Sequence, residues 1–123
     1  MKFYYCKHCG NIIHYLNDSG VKVVCCGEEM SELLPNTVEA AVEKHLPVVT
    51  LGEKKVSVDV GSVDHPMTPE HHIAWVALES SKGVKIHNLT DKPHTSFHMC
   101  SCDEPIAVYA YCNLHGLWKT EIK

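Results

Sequence analysis

Cys112-Asn113-Leu114-His115-Gly116 places a thiol and an imidazole with two residues between them and a glycine just beyond. A thiolate is a soft ligand and an imidazole a borderline one. A turn that brings them onto one ion suits iron, zinc or copper rather than magnesium or calcium. Gly116 lets the backbone turn tightly past the imidazole. Taken alone, such a pair is more often a buried cysteine and a surface histidine. The rest of the chain changes that balance.

Four more thiols stand near the amino terminus, in Cys6-Lys7-His8-Cys9-Gly10 and Cys25-Cys26-Gly27. Each pair is followed by a glycine, which leaves backbone N–H groups free to face sulfur. A zinc ribbon would carry two spaced pairs. Here Cys25 and Cys26 are adjacent and must splay around one ion, which zinc tolerates because it has no geometric preference from its d-electrons. High-spin iron is expected to tolerate it too. A disulfide between neighbouring cysteines is strained. Cys6, Cys9, Cys25 and Cys26 therefore read as one metal site, with iron or zinc left open by the spacing.

Histidines supply the remaining candidates. His45 precedes Leu46-Pro47, His65 precedes Pro66, and His71 or His72 opens an apolar run. Singly, each reads as a solvated loop residue. His8, His14, His87, His94 and His98 keep that bland reading.

The elements that must carry these residues follow from the hydrophobic pattern. Residues 12–16 and 21–24 read as two strands around a turn at 17–20. This small unit has too little apolar surface for its own core, so a metal must hold it together. From about Asn36 the pattern changes. Residues 37–44 contain helix formers, and Pro47 stops them by forcing Leu46 out of the helical region. Residues 48–51 and 56–60 form a hairpin about a turn at 52–54, with Val56, Val58 and Val60 facing one side. Further strands are expected at 73–79, 84–89, 95–100, 106–111 and 117–122. Seven short strands separated by regular turns predict an antiparallel β-sandwich. Its loops gather at two ends, so loop histidines and the Cys112–His115 pair can meet at one of them. Two prolines brace the loop at 64–72. Trp75 and Trp118 are expected in the core. Cys100 and Cys102, on a strand, would face one side. They read as two small buried or half-buried residues, a redox-active or adventitious metal pair being the alternative.

Composition bounds the partners. A chain of 123 residues holds one ordinary domain, or a small module plus a compact one. A net charge of −4, without a basic patch interleaved with aromatics, argues against a nucleic-acid partner. No apolar run is long enough to span a membrane, and the first residues lack a signal-peptide core. A soluble cytoplasmic protein is expected. In a reducing compartment its seven cysteines read as ligands, and ten histidines exceed what packing requires.

Several runs carry a family resemblance. Glu43-Lys44-His45-Leu46-Pro47-Val48, Gly61-Ser62-Val63-Asp64-His65-Pro66-Met67, His71 with Trp75, and Tyr111-Cys112-Asn113-Leu114-His115-Gly116-Leu117-Trp118-Lys119 resemble desulfoferrodoxin, the two-iron form of superoxide reductase. Cys6, Cys9, Cys25 and Cys26 are similar to its desulforedoxin-like module in type, spacing and position. The resemblance implies an all-β chain, with a desulforedoxin-like four-cysteine module over 1–36 and an immunoglobulin-like β-sandwich over 37–123. It implies two iron ions per chain. One is rubredoxin-like, on the four cysteines. The other has four equatorial imidazoles, His45, His65, His71 and His115, and the axial thiolate of Cys112. The resemblance favours His71 over His72, because His71 stands at the family's spacing after the His-Pro-Met step; the residues alone leave the two nearly tied.

The implied activity is one-electron reduction of superoxide to hydrogen peroxide, taking up two protons and making no dioxygen. Glu43 is implied as a carboxylate that closes the open coordination position at rest. Lys44 is implied as the cation that draws in the anion and helps deliver protons through water. A rubredoxin-like electron donor, a homodimer and superoxide detoxification in an anaerobe-type cytoplasm belong to the same expectation. The alternative is a non-catalytic iron-binding electron-transfer protein, which would leave no coordination position open. Because the two ligand sets share no residue, Cys9→Ser should remove one of the two metals and leave the other. Metal analysis with a visible spectrum checks this, and loss of both metals together would refute independent sites.

Overall fold

The structure is a computed structural model and describes residues 1–122. Lys123, the last residue of the expected sandwich segment, lies outside the described residues. The chain forms two compact units, Met1–Leu34 and one starting at Pro35.

In the first unit, β1 (Phe3–Tyr5) lies between β2 (Ile12–Ile13) and β5 (Ser31–Leu33), antiparallel to both. A separate hairpin joins β3 (Val24–Cys25) to β4 (Glu28–Glu29). The strands expected at 12–16 and 21–24 are thus much shorter than their apolar runs. Leu16, Val21 and Val23 are exposed, so those side chains have no second layer to face. Phe3, Cys6, Met30 and Leu33 are the buried apolar residues of this unit. Four such residues make a core far below what a self-sufficient domain needs.

The second unit opens with one helical turn, α1 (Val42–His45). The helix is shorter than the helix formers at 37–44 suggest. It ends where expected, because Leu46 takes an extended conformation (φ −71°, ψ 120°) ahead of Pro47. Seven strands follow: β6 (Pro47–Gly52), β7 (Lys55–Val60), β8 (Ile73–Ser80), β9 (Gly83–Asn88), β10 (His94–His98), β11 (Pro105–Cys112) and β12 (Gly116–Glu121). They form two antiparallel sheets, in the orders β10-β7-β6 and β12-β11-β8-β9. Val56, Val58 and Val60 of one sheet meet Ile73, Val76, Leu78, Val108, Ala110 and Cys112 of the other in a single core. Alternation placed these residues inward, and their burial is what holds the sheets face to face. Among the described residues no helix is long and apolar enough to cross a membrane.

Two expectations fail locally. Trp118 is buried, whereas Trp75 is half-buried and stacks on its cross-strand partner Tyr111 (5.5 Å between centroids, 8° between planes). Val76 and Ala110 point into the core, so their neighbours Trp75 and Tyr111 point away from it. Strand β10 stops at His98, so Cys100 and Cys102 lie in a turn rather than on a strand.

One end of the sandwich gathers the start of β6, the end of β7, the start of β8 and the β11–β12 turn. There the chain leaving β7 crosses α1. A β-carbon on Gly61 would stand 2.7 Å from the Glu43 carbonyl oxygen and 2.9 Å from that of Leu46. Val63 N–H donates to the Glu43 carbonyl (2.8 Å), and so does the Ser62 hydroxyl (3.3 Å). His65 N–H donates back to Val60 (2.9 Å). The loop bearing His65 is thereby fastened to the turn bearing His45. Gly61→Ala should separate them and lower stability by roughly 1–3 kcal/mol, the usual cost of forcing atoms into a packed site. Denaturant unfolding measures the loss, and metal analysis of the second unit should show reduced binding. An unchanged midpoint would show that this close approach is dispensable.

Candidate metal centres

The amino-terminal centre is built by two tight turns. Gly10 (φ +84°) closes the first, with its N–H donating to the Cys6 carbonyl (3.0 Å). The β3–β4 hairpin closes the second through a two-residue loop, Cys26-Gly27, both residues at positive φ (51° and 76°). That is the backbone of the tight hairpin turns that match strand twist. It swings adjacent cysteines toward one point. The Sγ atoms of Cys6, Cys9, Cys25 and Cys26 all lie within 4.8 Å of one another. Cys9 and Cys25 are 3.6 Å apart. Sulfurs bound 2.3 Å from a tetrahedral ion sit about 3.8 Å apart, so the set fits a metal. The Asn11 side-chain amide points at the Cys25 sulfur (3.6 Å).

The thiols press on one another's ionisation. The Cys9 and Cys6 sulfurs push Cys26 up to about 12, while the Cys9 N–H pulls Cys6 down to about 6. Four thiolates would repel, and a bound cation removes that conflict.

The second centre lies at the end of the sandwich described above. His45, His65, His71 and Cys112 bring one ligand atom each within 4.8 Å of the others. His45 and His65 are each 2% exposed and Cys112 is fully buried. His45 Nδ1–H donates to the Ala41 carbonyl (2.7 Å), and His65 Nδ1–H donates to the Pro66 carbonyl (2.7 Å). A carbonyl can only accept, so each Nε2 of the neutral rings carries a bare lone pair. Those two Nε2 atoms face each other at 3.2 Å. His115 presents Nδ1 instead, 3.1 Å from His45 Nε2 and 3.9 Å from Cys112 Sγ, at the edge of the group. His71 Nε2 is buried with no hydrogen-bond partner.

Ring nitrogens bound ~2.1 Å from one ion at right angles sit about 3.0 Å apart, close to what is seen here. Converging lone pairs, an orphaned ring nitrogen and a buried thiol fit a bound metal and little else.

Burial is the largest influence on each of these groups. It lowers His45, lowers His65 to about 4 and lowers His71, so the imidazoles are neutral near neutral pH, as ligands must be. The positive charge of Lys44 contributes to the His71 shift. Burial also raises the Cys112 thiol, against the pull of the Leu114 and His115 N–H groups. A metal would deprotonate it outright.

Glu43 and Lys44 are exposed on α1, beside buried His45. His72 lies outside the group. Its Nδ1–H donates to Thr68 (2.9 Å) and its N–H to the Asn113 side chain (2.8 Å).

Three positioning residues escaped the sequence reading. Asn113 clamps the loop at 68–72 to the β11–β12 turn, also donating to the Glu70 carbonyl (2.9 Å). Thr68 accepts the His71 N–H (3.1 Å). Trp118 stacks on His45 (5.0 Å) and donates its indole N–H to the His115 carbonyl (3.2 Å). Asn113 lies inside the Cys-x-x-His run, which is its one signal in the sequence. His71→Ala should lower metal content of this centre at least about tenfold more than His72→Ala, on the scale of losing a ligand or its support. Metal analysis after gel filtration checks this, and a larger loss at His72 would mean the register is wrong.

Comparison with known proteins agrees with this geometry. Residues 37–121 match the family described as Desulfoferrodoxin, and residues 1–33 match Desulfoferrodoxin, N-terminal domain. The desulfoferrodoxin of Clostridium acetobutylicum is 41% identical, covering 99% of this chain and 97% of its own. That of Nitratidesulfovibrio vulgaris is 40% identical over 98% and 95%. The crystal structure of the superoxide reductase from Treponema pallidum superposes with a TM-score of 0.82 at 36% identity, covering 98% of this chain and all of that one. A one-iron superoxide reductase from Giardia intestinalis superposes with a TM-score of 0.55 at 26% identity, covering 66% of this chain and 98% of its own. With both of its segments matched in order and near-complete coverage of its relatives, this chain belongs to the desulfoferrodoxin family.

Proposed function

We propose that this protein is a superoxide reductase, reducing superoxide by one electron to hydrogen peroxide. The observation that carries the reading is the second centre, where bare lone pairs of buried neutral imidazoles converge beside a buried thiol. We assign His45, His65, His71, His115 and Cys112 as ligands of one iron. Cys6, Cys9, Cys25 and Cys26 are assigned to a second, rubredoxin-like iron. Residues 1–36 then form the four-cysteine module and 37–123 the catalytic β-sandwich. The likeness at 36% identity to the Treponema pallidum superoxide reductase supports the activity.

Iron held by His45, His65, His71, His115 and Cys112 would supply the electron for the reduction. The chain's own residues do the rest. Ala41 and Pro66 carbonyls hold the His45 and His65 rings with Nε2 inward. Burial keeps the imidazoles neutral, so no protonated ring competes for the ion. Lys44 stands exposed on α1 and its charge is felt at His71. We assign it to draw the anion in and to orient water for the two protons that each superoxide consumes. Glu43, on the same turn, is assigned to close the open side at rest. A rubredoxin-like electron donor, a homodimer and superoxide detoxification in the cytoplasm complete the proposal. The Giardia protein, named as a one-iron form, covers only 66% of this chain. That fits a four-cysteine iron which relays electrons or stabilises the module without being essential for turnover.

Metal analysis and a visible spectrum of protein from iron-supplied cells test the assignment. Two irons per chain support it and two zincs overturn it. Lys44→Ala should slow the second-order reaction with superoxide by about tenfold, the low end of electrostatic steering, while the ferrous site still assembles. Added salt should slow the wild type more than the variant, since it screens a charge the variant lacks. Pulse radiolysis at several ionic strengths decides. Equal rates and equal salt slopes would leave Lys44 an ordinary surface residue.

A further inference from the structure

At the far end of the sandwich from the histidines, the turn between β10 and β11 carries Met99-Cys100-Ser101-Cys102-Asp103. Neither cysteine belongs to a metal set. Both are exposed and free, and their Sγ atoms are 2.7 Å apart. Strand β11 separates this turn from Cys112, and its eight residues, seven steps of about 3.4 Å, put the two roughly 24 Å apart. The pair is therefore no part of the centre already described.

The turn is held rigidly. Asp103 Oδ2 accepts from the Ser80 hydroxyl (3.0 Å), and Oδ1 accepts from the Ser81 hydroxyl (3.0 Å) and Lys82 N–H (3.1 Å). Asp103 N–H donates to the Cys100 carbonyl (3.0 Å), and Met99 N–H to Lys54 (2.8 Å). The Lys85 ammonium donates to the His98 carbonyl. The turn that carries both sulfurs is thus fixed by its own backbone bonds and by the Asp103 carboxylate.

They are not equivalent. Cys100 Sγ accepts the Cys102 backbone N–H (3.5 Å) and also faces the Cys102 sulfur. The Cys102 side chain and backbone N–H lower the Cys100 thiol below its ordinary range, while the Cys100 sulfur raises Cys102. Cys100 also borders an open cavity of about 420 Å³ whose rim includes Lys54 and Lys55, so a small neutral oxidant reaches it from solvent. An exposed thiol stabilised as its anion and touching a second thiol has the features of a reversible oxidation site.

We propose that Cys100 and Cys102 form a peroxide-oxidised dithiol, with Cys100 attacking and Cys102 resolving. The Cys100 sulfur attacks one oxygen of hydrogen peroxide. The S–O bond forms, the O–O bond breaks, and the departing hydroxide takes a proton to become water. The Cys102 sulfur then attacks Cys100. The S–S bond forms, the S–O bond breaks, and the hydroxyl leaves as a second water with the Cys102 proton. Two thiols lose two electrons, and one peroxide gains them. The source of peroxide rests on the function proposed above, since hydrogen peroxide is that reaction's product. A ring closed over one intervening residue gives little chain-entropy stabilisation, and an exposed disulfide of that kind is readily reduced by a dithiol.

The test uses full-length, iron-loaded protein with both thiols reduced. After treatment with equimolar hydrogen peroxide and blocking of free thiols, peptide mass spectrometry should find a Cys100–Cys102 disulfide that dithiothreitol reverses. Cys102→Ser should stop at a sulfenic acid on Cys100, trapped by dimedone. Cys100→Ser should give about tenfold less dimedone label at Cys102, because thiolate character sets susceptibility. Both thiols remaining reduced at that dose would overturn the proposal, as would equal labelling of Cys100 and Cys102 in the two variants. The oxidant is added peroxide, so a chain inactive toward superoxide would still give the disulfide. A chain that reduces superoxide while both thiols survive overturns this inference alone.

Discussion

Two imidazole lone pairs face each other across 3.2 Å, in a place where water cannot separate them. The arrangement is unfavourable without a cation, and much of the second unit exists to impose it. Pro47 ends the helix so that His45 turns inward as the strand begins. Gly61 allows the His65 loop to lie against the backbone of that helix. The Ala41 and Pro66 carbonyls take the outer ring protons and leave the inner nitrogens bare. Trp118 covers one face of His45 and Asn113 ties the remaining loop down. The core of valines, leucine and isoleucine supplies the free energy that keeps these repelling groups together until an ion binds.

The amino-terminal unit reverses that relation. Its few buried apolar side chains cannot hold it, and the sulfurs are the nearest thing to a core it has. In the second unit the fold makes the metal site; in the first the metal site makes the fold. Chelation and denaturant should therefore act on the two centres in different orders.

Much of this was legible in the residues. Alternating valines gave the inward face of β7, and Pro47 marked the helix end, because both depend on local sterics and period. The four cysteines stood out by type and spacing, whereas His45, His65, Cys112 and His115, each bland alone, were drawn into one set only by the family resemblance. What stayed hidden depends on neighbours distant in sequence. Trp75 looks like a core residue by composition, yet its strand parity points it outward onto Tyr111. Strand β1 was missed because Phe3-Tyr4-Tyr5 is too short to show a period, although it is the central strand of its sheet. The carbonyls that orient the rings leave no sequence mark, since every residue has one. His71 and His72 are adjacent and chemically equal, and only the clamps at Thr68 and Asn113 separate their surroundings.

The histidines do not reach inward with arms of equal length. His45 and His65 extend through Nε2, the far nitrogen, from separate stretches of chain, whereas His115 offers the near one, Nδ1. The short arm belongs to the same tight turn that delivers the sulfur, where Gly116 at φ +78° leaves no slack. Reach and turn length are thus matched. An extra residue inserted between Cys112 and His115 would have to be answered by a different nitrogen or a different ligand. This hairpin is consequently the part of the centre least tolerant of insertion, while the longer approaches to His65 and His71 leave room for loops to diverge in length without disturbing what they hold.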